Sequence, residues 1–345
     1  MSKRVGILTG GGDCPGLNAV IRAAVVKGTR YYNYKFIGIK NGWAGLLDFE
    51  WTNLDREAIS GIIHRGGTIL GTSRTNPCKN EQVKQLAFEN YKKLRLDALI
   101  VIGGDDTLGA GLELSKAGMH LVAVPKTIDN DVGGTDFTFG FETAVQIATE
   151  AIDRLHTTAE SHNRIMIVEV MGRHAGWIAT YCGIAGGADV ILIPEVPFNL
   201  EDIVSVINAR RERGRTFSIV VIAEGAFPEG KKDNYLKSDK VDEFGHVQLG
   251  GVGVALAKDL EKLTGIDCRT TILGHVQRGG TPTAFDRVLA TRYGVCAIDM
   301  VHREQWGHMA TLRGTEIIPM PLEECVHQEK RVPMELYEVA KVFFG

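Results

Sequence analysis

The sequence predicts an α/β fold of two doubly wound lobes with mainly parallel sheets. Short runs of apolar residues recur along the chain. They are apolar nearly throughout instead of alternating with polar residues, which is typical of parallel strands buried on both faces. Amphipathic stretches of helical period separate them, and such strand–helix repetition places helices on both faces of a sheet. A chain of 345 residues is too long for one core, so two lobes are expected.

The predicted elements follow one another along the whole chain. The strands are the apolar runs 4–9, 35–39, 98–102, 121–124, 164–169, 190–193, 218–223 and 270–273. The helices are the amphipathic stretches 16–31, 81–94, 141–156, 200–213 and 251–263. A polar insertion at 230–247 predicts a surface loop or hairpin to which we assign no role. No proline-rich or serine-rich linker separates two halves, so we expect a cleft between lobes that the chain crosses more than once.

Composition limits the partners and the compartment. The chain has 39 basic and 42 acidic residues and a net charge of −3, so we expect neither nucleic acid nor a membrane surface as a partner. The N-terminus lacks a secretory pattern, and no uncharged apolar stretch is long enough to span a bilayer. Six scattered cysteines without zinc spacing predict reduced thiols. Together these observations predict a cytoplasmic protein.

Three loops that follow predicted strands carry glycines and carboxylates. They read GGGDCPGLN at 10–18, GGDDT at 103–107 and PKTIDND at 125–131, and ligands of open α/β sheets gather at such strand ends. Asp105 either caps the following helix or holds Mg²⁺ together with substrate phosphates. Asp129, near Thr127, is placed to reach a substrate hydroxyl. Three such strand ends are more than helix capping requires, so we favour a magnesium-dependent phosphoryl-transfer site.

Cationic side chains lie near other strand ends. A single arginine is most often solvated or ion-paired, but several together favour bidentate recognition of a sugar phosphate. Glu224, which ends a predicted strand, either accepts a sugar hydroxyl or pairs with one of these arginines. The cationic candidates are Arg164, Arg173, Arg269, His275 and Arg278.

Taken together, the motifs resemble the 6-phosphofructokinase family. They are GGGDCPGLNAVIR, GGTILGTSR, VIGGDDT, PKTIDND, SHNRIMIVEVMGRHAG and GHVQRGG, and they run in order from Val5 to about Arg292. The resemblance implies the phosphofructokinase fold, with the active site in the cleft between two lobes. The donor-binding lobe would comprise residues 1–140 and 277–325. The lobe that binds fructose 6-phosphate would comprise residues 141–276 and 326–345.

The resemblance also implies the roles of individual residues. Asp129 would deprotonate the sugar 1-hydroxyl with help from Thr127 and Arg173, and Asp105 would bind Mg²⁺. The donor phosphates would be bound by Gly12, Arg74, Gly104, Asp106, Thr107 and Lys126. Fructose 6-phosphate would be bound by Thr127, Asp129, Arg164, Met171, Gly172, Arg173, Glu224, Arg269, His275 and Arg278. Arg164 and Arg269 match positions that reach the site of a neighbouring subunit, so a homodimer or homotetramer is implied.

Asp106 and Lys126 bear on the identity of the phosphoryl donor. ATP-using members of the family have glycine at both positions, and this sequence resembles the pyrophosphate-dependent members instead. A carboxylate beyond the second phosphorus fills space and repels the next phosphate of ATP, while an ammonium grips the small donor. The resemblance thus implies reversible transfer from pyrophosphate to fructose 6-phosphate. An ATP-dependent enzyme that tolerates Asp106 and a catalytically silent regulatory subunit are the alternatives.

Overall fold

Two sheets with helices packed against them make up the protein, in a computed structural model that describes residues 2–230 and 250–345. Apart from its first residue, the polar insertion 230–247 lies outside the described residues. The strands are β1 (Arg4–Thr9), β2 (Lys35–Ile39), β3 (Trp51–Asn53), β4 (Ala98–Gly103), β5 (Leu121–Pro125), β6 (Ile165–Val170), β7 (Val190–Leu192), β8 (Ser218–Ala223), β9 (Cys268–Ile272), β10 (His308–Arg313) and β11 (Glu316–Pro321). The helices are α1 (Leu17–Tyr32), α2 (Trp43–Leu47), α3 (Glu81–Lys93), α4 (Asp105–Lys116), α5 (Phe141–His162), α6 (Trp177–Ala185), α7 (Leu200–Glu212), α8 (Val252–Thr264), α9 (Ala284–His302) and α10 (Met334–Lys341).

The larger sheet has the strand order β11-β10-β5-β4-β1-β2-β3. Its five inner strands run parallel, and an antiparallel strand closes each edge. Every residue of β4 and β5 is buried. Because helices cover both faces, these strands are apolar on both faces, which explains why their sequences do not alternate.

The smaller sheet is parallel throughout, in the order β7-β8-β6-β9. Its core is continuous with that of the larger sheet, because one apolar cluster runs from β1 and β4 through α5 and α9 to β6 and β8. Phe141 and Ile152 of α5 belong to this cluster. The two sheets therefore share one apolar core.

The predicted strand bounds match the observed ones best for strands inside the sheets. The α/β fold class is confirmed, and β1, β2 and β8 occupy the predicted residues. β9 is Cys268–Ile272 instead of 270–273, because polar residues at its start pair with β6. The sequence pattern missed β3, β10 and β11, which lack continuous apolar runs; β11 contains two prolines, which an edge strand tolerates. It also missed α9, whose buried face includes Asp286 and Gly294.

The glycine and carboxylate loops meet at the carboxyl ends of adjacent strands. β1, β4 and β5 are neighbours, and so are β8, β6 and β9, so each trio delivers its loops to one edge of its sheet. The residues at which one lobe ends and the other begins stay a prediction. Each of the six cysteines is a free thiol, as predicted. Within the described residues, no helix has both the length and the apolar character needed to cross a bilayer.

Candidate active site

The first glycine loop lies between β4 and the guanidinium of Arg278. The Gly10 N–H donates to the Ile102 carbonyl over 2.9 Å, and the Thr72 hydroxyl donates to the Gly11 carbonyl over 2.6 Å. A β-carbon on Gly12 would lie only 3.1 Å from Arg278 Nη1. Glycine at position 12 thus lets the guanidinium approach the loop backbone, as a phosphate-binding loop requires. The structure therefore brings the predicted sugar-side residue Arg278 to the predicted donor loop.

Lys126 enters the same loop from the end of β5. Its side chain is 3% exposed, and its ammonium donates a hydrogen bond to the Gly12 carbonyl. Burial lowers the pKa of Lys126. Asp129, Asp131 and the Cys14 thiol oppose that change electrostatically, and Arg278 adds to it. A cation that is buried and faces a glycine loop is placed to meet a small anion.

Helix α4 begins with the two predicted donor-side carboxylates, Asp105 and Asp106, after the Gly104 N-cap. Thr107 follows in the same turn and is buried, whereas Arg74 is exposed on the loop after Thr72. A helix N-terminus carries partial positive charge, which favours phosphate oxygens nearby. The sequence-predicted donor residues are therefore distributed around one end of the larger sheet.

Asp105 is held by a segment near the C-terminus. The His327 N–H donates to Asp105 Oδ1 over 2.8 Å, and His327 Nδ1 lies 3.2 Å from Oδ2. In the described part of the chain, no three His, Cys, Asp or Glu side chains form a metal-binding group. Mg²⁺ is commonly bound by one or two carboxylates, with phosphate oxygens and water completing the shell. A partly exposed carboxylate in the first turn of a helix, such as Asp105, fits that requirement.

The loop after β5 carries Asp129 in a tight turn. The Asp129 N–H donates to the Thr127 hydroxyl over 3.0 Å, which closes a local turn. Asn130 has a φ of 53°, in the left-handed region that few residues other than glycine adopt. Among the described residues, none donates a hydrogen bond to the buried Asp129 Oδ1. The turn thus holds one carboxylate oxygen in a protected place with its lone pairs available.

Two carboxylates of this loop have strongly raised pKa values. Burial raises the pKa of Asp129 to about 6; the Glu224 carboxylate adds to the rise, and the guanidinium of Arg278 opposes it most. Burial also raises the pKa of Asp131 to about 7, with the Asp129 charge as the next cause. Because the two groups interact, their protons are lost in steps that belong to the pair. A base with a pKa near neutrality suits proton abstraction from a hydroxyl.

The sugar-side residues after β6 and β8 form the opposite wall. Arg173 has a φ of 54°, and its N–H donates to Glu224 Oε1 over 3.2 Å. A β-carbon on Gly225 would lie 1.9 Å from the Arg173 carbonyl oxygen, so only glycine permits this close contact. Met171 is buried beside Gly172, and burial raises the pKa of Glu224. The structure therefore brings the loop with Met171, Gly172 and Arg173 next to Glu224. His275 lies exposed on the 3-10 helix Gly274–Arg278 that follows β9.

Arg164 and Arg269 lie at the other end of the smaller sheet from the remaining predicted sugar-side residues. Arg164 immediately precedes β6 and Arg269 is the second residue of β9, so both are at the amino ends of strands whose carboxyl ends carry the cleft. A strand of six residues separates the two ends by about 20 Å. Asp267 pairs with both guanidinium groups, at 2.5 Å from Arg164 Nε and 2.6 Å from Arg269 Nη1. Within one chain, these two predicted residues are therefore separate from the others.

Sequence reasoning missed three residues. His327 and Lys330 contact residues of the candidate site, and Asp267 pairs with Arg164 and Arg269 at the other end of the smaller sheet. Asp267 had a usable signal, because it directly precedes β9 and lies two residues from Arg269, close enough in sequence to be an ion-pair partner. His327 and Lys330 reach the cleft from more than 190 residues away in sequence. Nothing in their local sequence indicates that destination.

Glycine loops, a buried carboxylate whose pKa lies near neutrality and guanidinium groups near the strand ends together define an α/β enzyme of phosphoryl transfer. The family described as Phosphofructokinase matches residues 4–301, and the chain belongs to this family, as the motifs predicted.

Individual relatives differ in the donor that their names specify. The chain is 56% identical over 343 residues to a Streptomyces coelicolor protein named pyrophosphate–fructose 6-phosphate 1-phosphotransferase, with 99% of this chain and 100% of the relative covered. It is 51% identical over 341 residues to an ATP-dependent 6-phosphofructokinase 2 of the same organism, with 99% and 100% covered. A solved pyrophosphate-dependent phosphofructokinase from Marinobacter aquaeolei has a TM-score of 0.83 at 26% identity, over 96% of this chain and 86% of that chain.

Proposed function

We propose that the protein catalyses reversible phosphoryl transfer from pyrophosphate to the 1-hydroxyl of D-fructose 6-phosphate, giving fructose 1,6-bisphosphate and phosphate. The observation that carries the choice of donor is the buried ammonium of Lys126, which faces the glycine loop at Gly12. A buried ammonium is costly unless an anion compensates it, and a compact pyrophosphate supplies that anion. The name of the Streptomyces coelicolor relative at 56% identity supports the same donor.

Asp129 is the proposed general base. Its Oδ1 is buried and, among the described residues, has no hydrogen-bond donor, so it is available to accept the proton of the sugar hydroxyl. A pKa of about 6 leaves the group ionised at neutral pH and still basic enough to assist the transfer. The Thr127 hydroxyl fixes the Asp129 backbone, and Arg173 lies close enough to lower the pKa of Asp129 electrostatically. The same guanidinium is placed to neutralise charge on the phosphoryl group.

The donor side positions a charged phosphate chain. Asp105, together with phosphate oxygens of the donor, would hold Mg²⁺, which would neutralise charge on the transferred group. Backbone N–H groups at Gly104 and the start of α4 face the phosphates, and Lys126 adds a positive charge. The remaining proposed donor residues are Gly12, Arg74, Asp106 and Thr107. Asp106 in the first turn of α4 would repel a third phosphate.

Fructose 6-phosphate is proposed to bind on the wall formed after β6, β8 and β9. Glu224 accepts a sugar hydroxyl there, and the residues that line the rest of this wall are Met171, Gly172, Arg173, His275 and Arg278. Arg164 and Arg269, which lie at the opposite end of the sheet, complete the site of a neighbouring subunit in a homodimer or homotetramer. We also propose the lobes 1–140 with 277–325 for the donor and 141–276 with 326–345 for the sugar.

ATP remains the second candidate donor, because a relative named for ATP is 51% identical to this chain. The reverse reaction separates the two. Fructose 1,6-bisphosphate and magnesium would be incubated with either phosphate or ADP and followed by phosphorus NMR. The proposal predicts a growing pyrophosphate signal with phosphate and no ATP with ADP. ATP formation without pyrophosphate would assign the ATP-dependent activity instead, and no turnover with either would indicate a catalytically silent chain.

A further inference from the structure

Lys330 makes an unusually complete set of contacts with the loop that follows β5. Its ammonium donates hydrogen bonds to Asn130 Oδ1 at 2.9 Å, the Thr135 carbonyl at 2.9 Å and the Asp136 carbonyl at 2.8 Å. A lysine ammonium has three N–H groups, so each finds an acceptor. The aliphatic stem is partly buried, and the ammonium lies 5.2 Å from the centre of the Trp177 ring. Such a saturated lysine is held in one position.

Asn130 is the residue whose backbone sets the direction of the two neighbouring carboxylates. It is fully buried and has a φ of 53°, in the left-handed region, where a hydrogen-bonded asparagine side chain helps to fix the backbone. Its Oδ1 accepts from Lys330 and from the Thr138 N–H, the latter at 3.0 Å. Without the lysine, this conformation would lose a principal support. Asp129 and Asp131 would then lose their fixed orientation.

We propose that Lys330 is a positioning residue for catalysis, which acts through Asn130 to hold Asp129 in the orientation needed for proton abstraction. The inference rests on the proposed role of Asp129 as the base. Lys330 lies beyond residues 4–301, the part of the chain that the Phosphofructokinase family matches. It therefore extends the site into a part of the chain that the family description does not cover.

The backbone around Lys330 reinforces this role. Residues 325–332, which we call the C-terminal strap, pass along the loop that follows β5. The Lys330 N–H donates to the Asp131 carbonyl at 2.8 Å, and Val132 forms an antiparallel bridge with Glu329. On the other side, Trp177 Nε1 donates to the Lys330 carbonyl at 2.8 Å. Trp177 begins α6, directly after the Arg173 loop. The C-terminal strap thus connects the loop that follows β5 to the sugar-side wall, and Lys330 contacts both.

The first test replaces Lys330 with methionine, which keeps the stem and removes the three donors. Lys341→Met, an exposed lysine on α10 paired with Glu338 at 3.0 Å, is the matched control. With pyrophosphate as donor, Lys330→Met is expected to lower kcat about 10- to 100-fold, the size of a small misplacement of a catalytic group. The KM for fructose 6-phosphate should stay within about twofold, because the sugar contacts remain. The control should retain the wild-type kcat.

Asn130→Gly provides a second, independent variant. Glycine can adopt the same φ, so the fold tolerates the change, but it has no side chain to fix the backbone there and the acceptor for Lys330 is lost. If Lys330 acts through Asn130, Asn130→Gly lowers kcat as well, and the double variant is no slower than the slower single variant. If the fold-losses in kcat of the two single variants multiply in the double variant, Lys330 acts by another route. An unchanged kcat in Asn130→Gly would overturn the proposal even if Lys330→Met failed to fold. Wild-type protein without activity on any donor would refute the proposed function instead, and full activity in both single variants would refute this inference alone.

Discussion

Replacing Asp129 with asparagine should stabilise the protein at neutral pH while removing most of its turnover. Asparagine has the shape of the protonated carboxyl group but accepts no proton. Turnover should therefore fall by roughly 10²- to 10⁴-fold, the usual contribution of a general base, with little change in KM. The stability gain has a separate origin, namely that the ionised Asp129 carboxylate is buried beside Glu224.

The size of the gain follows from the pKa. Burial raises the pKa of Asp129 from 3.8 to about 6, and a rise of that size corresponds to about 3 kcal/mol of unfavourable free energy for the ionised form. The folded pKa is the higher one, so the folded state holds its proton longer than the unfolded state. The contribution of Asp129 to stability is therefore fully present below about pH 4 and is lost as pH rises through about 6. The gain in Asp129→Asn should be largest near pH 8 and about half as large near pH 5.

Thermal unfolding at these two pH values, combined with steady-state kinetics, measures both effects. Asp153→Asn, at an exposed carboxylate of α5, is the control and should change neither quantity. Two results would refute the reasoning. A variant that keeps half of the wild-type turnover would remove Asp129 from the role of base. A variant that is less stable than wild type near pH 8 would show that the ionised carboxylate is not under electrostatic stress.

Further predictions concern the other groups of the site. The acid limb of kcat/KM should have an apparent pKa of about 6, and Glu224→Gln should move it to lower pH because the Glu224 charge raises the pKa of Asp129; an unmoved limb would exclude that coupling. Mixtures of Asp129→Asn and Arg164→Ala subunits should regain activity on subunit exchange, whereas an active monomer by light scattering would contradict a shared site. Asp106→Gly should shift the ratio of catalytic efficiencies toward ATP by about tenfold or more, and adding Lys126→Gly should shift it further; a constant ratio would show that neither residue selects the donor.

The parts of the fold predictable from sequence are those that burial imposes on composition. β4 is buried at every position, so its sequence is apolar at every position and identifies the strand. β11 is partly exposed and contains Pro319 and Pro321, so its sequence has no such signature. Its place in the sheet follows from pairing with β10, a contact that only the folded chain provides.

The candidate site likewise contains residues that the sequence could place and residues that it could not. Asp105 and Asp129 lie in the loops or turns that follow the buried strands β4 and β5, and the rule that parallel strands deliver their ends to one edge is enough to bring them to the same end of the sheet. That rule concerns the carboxyl ends of strands, so it does not predict that Arg164 pairs with Asp267, because both lie at the amino ends of strands in the smaller sheet. Lys330 is the extreme case, since its partner Asn130 is 200 residues away in sequence, and the C-terminal strap that contains Lys330 has no strand or helix to indicate its course.

The ratio of kcat/KM for pyrophosphate to kcat/KM for ATP, with saturating fructose 6-phosphate and magnesium, tests the central claim most directly. The two donors present similar terminal phosphates, so the ratio isolates what lies beyond the second phosphorus, where we propose that Asp106 in the first turn of α4 acts. The proposed function predicts that pyrophosphate is favoured by about 100-fold or more, which corresponds to about 3 kcal/mol of discrimination. A ratio below one, with ATP the better donor, would contradict it.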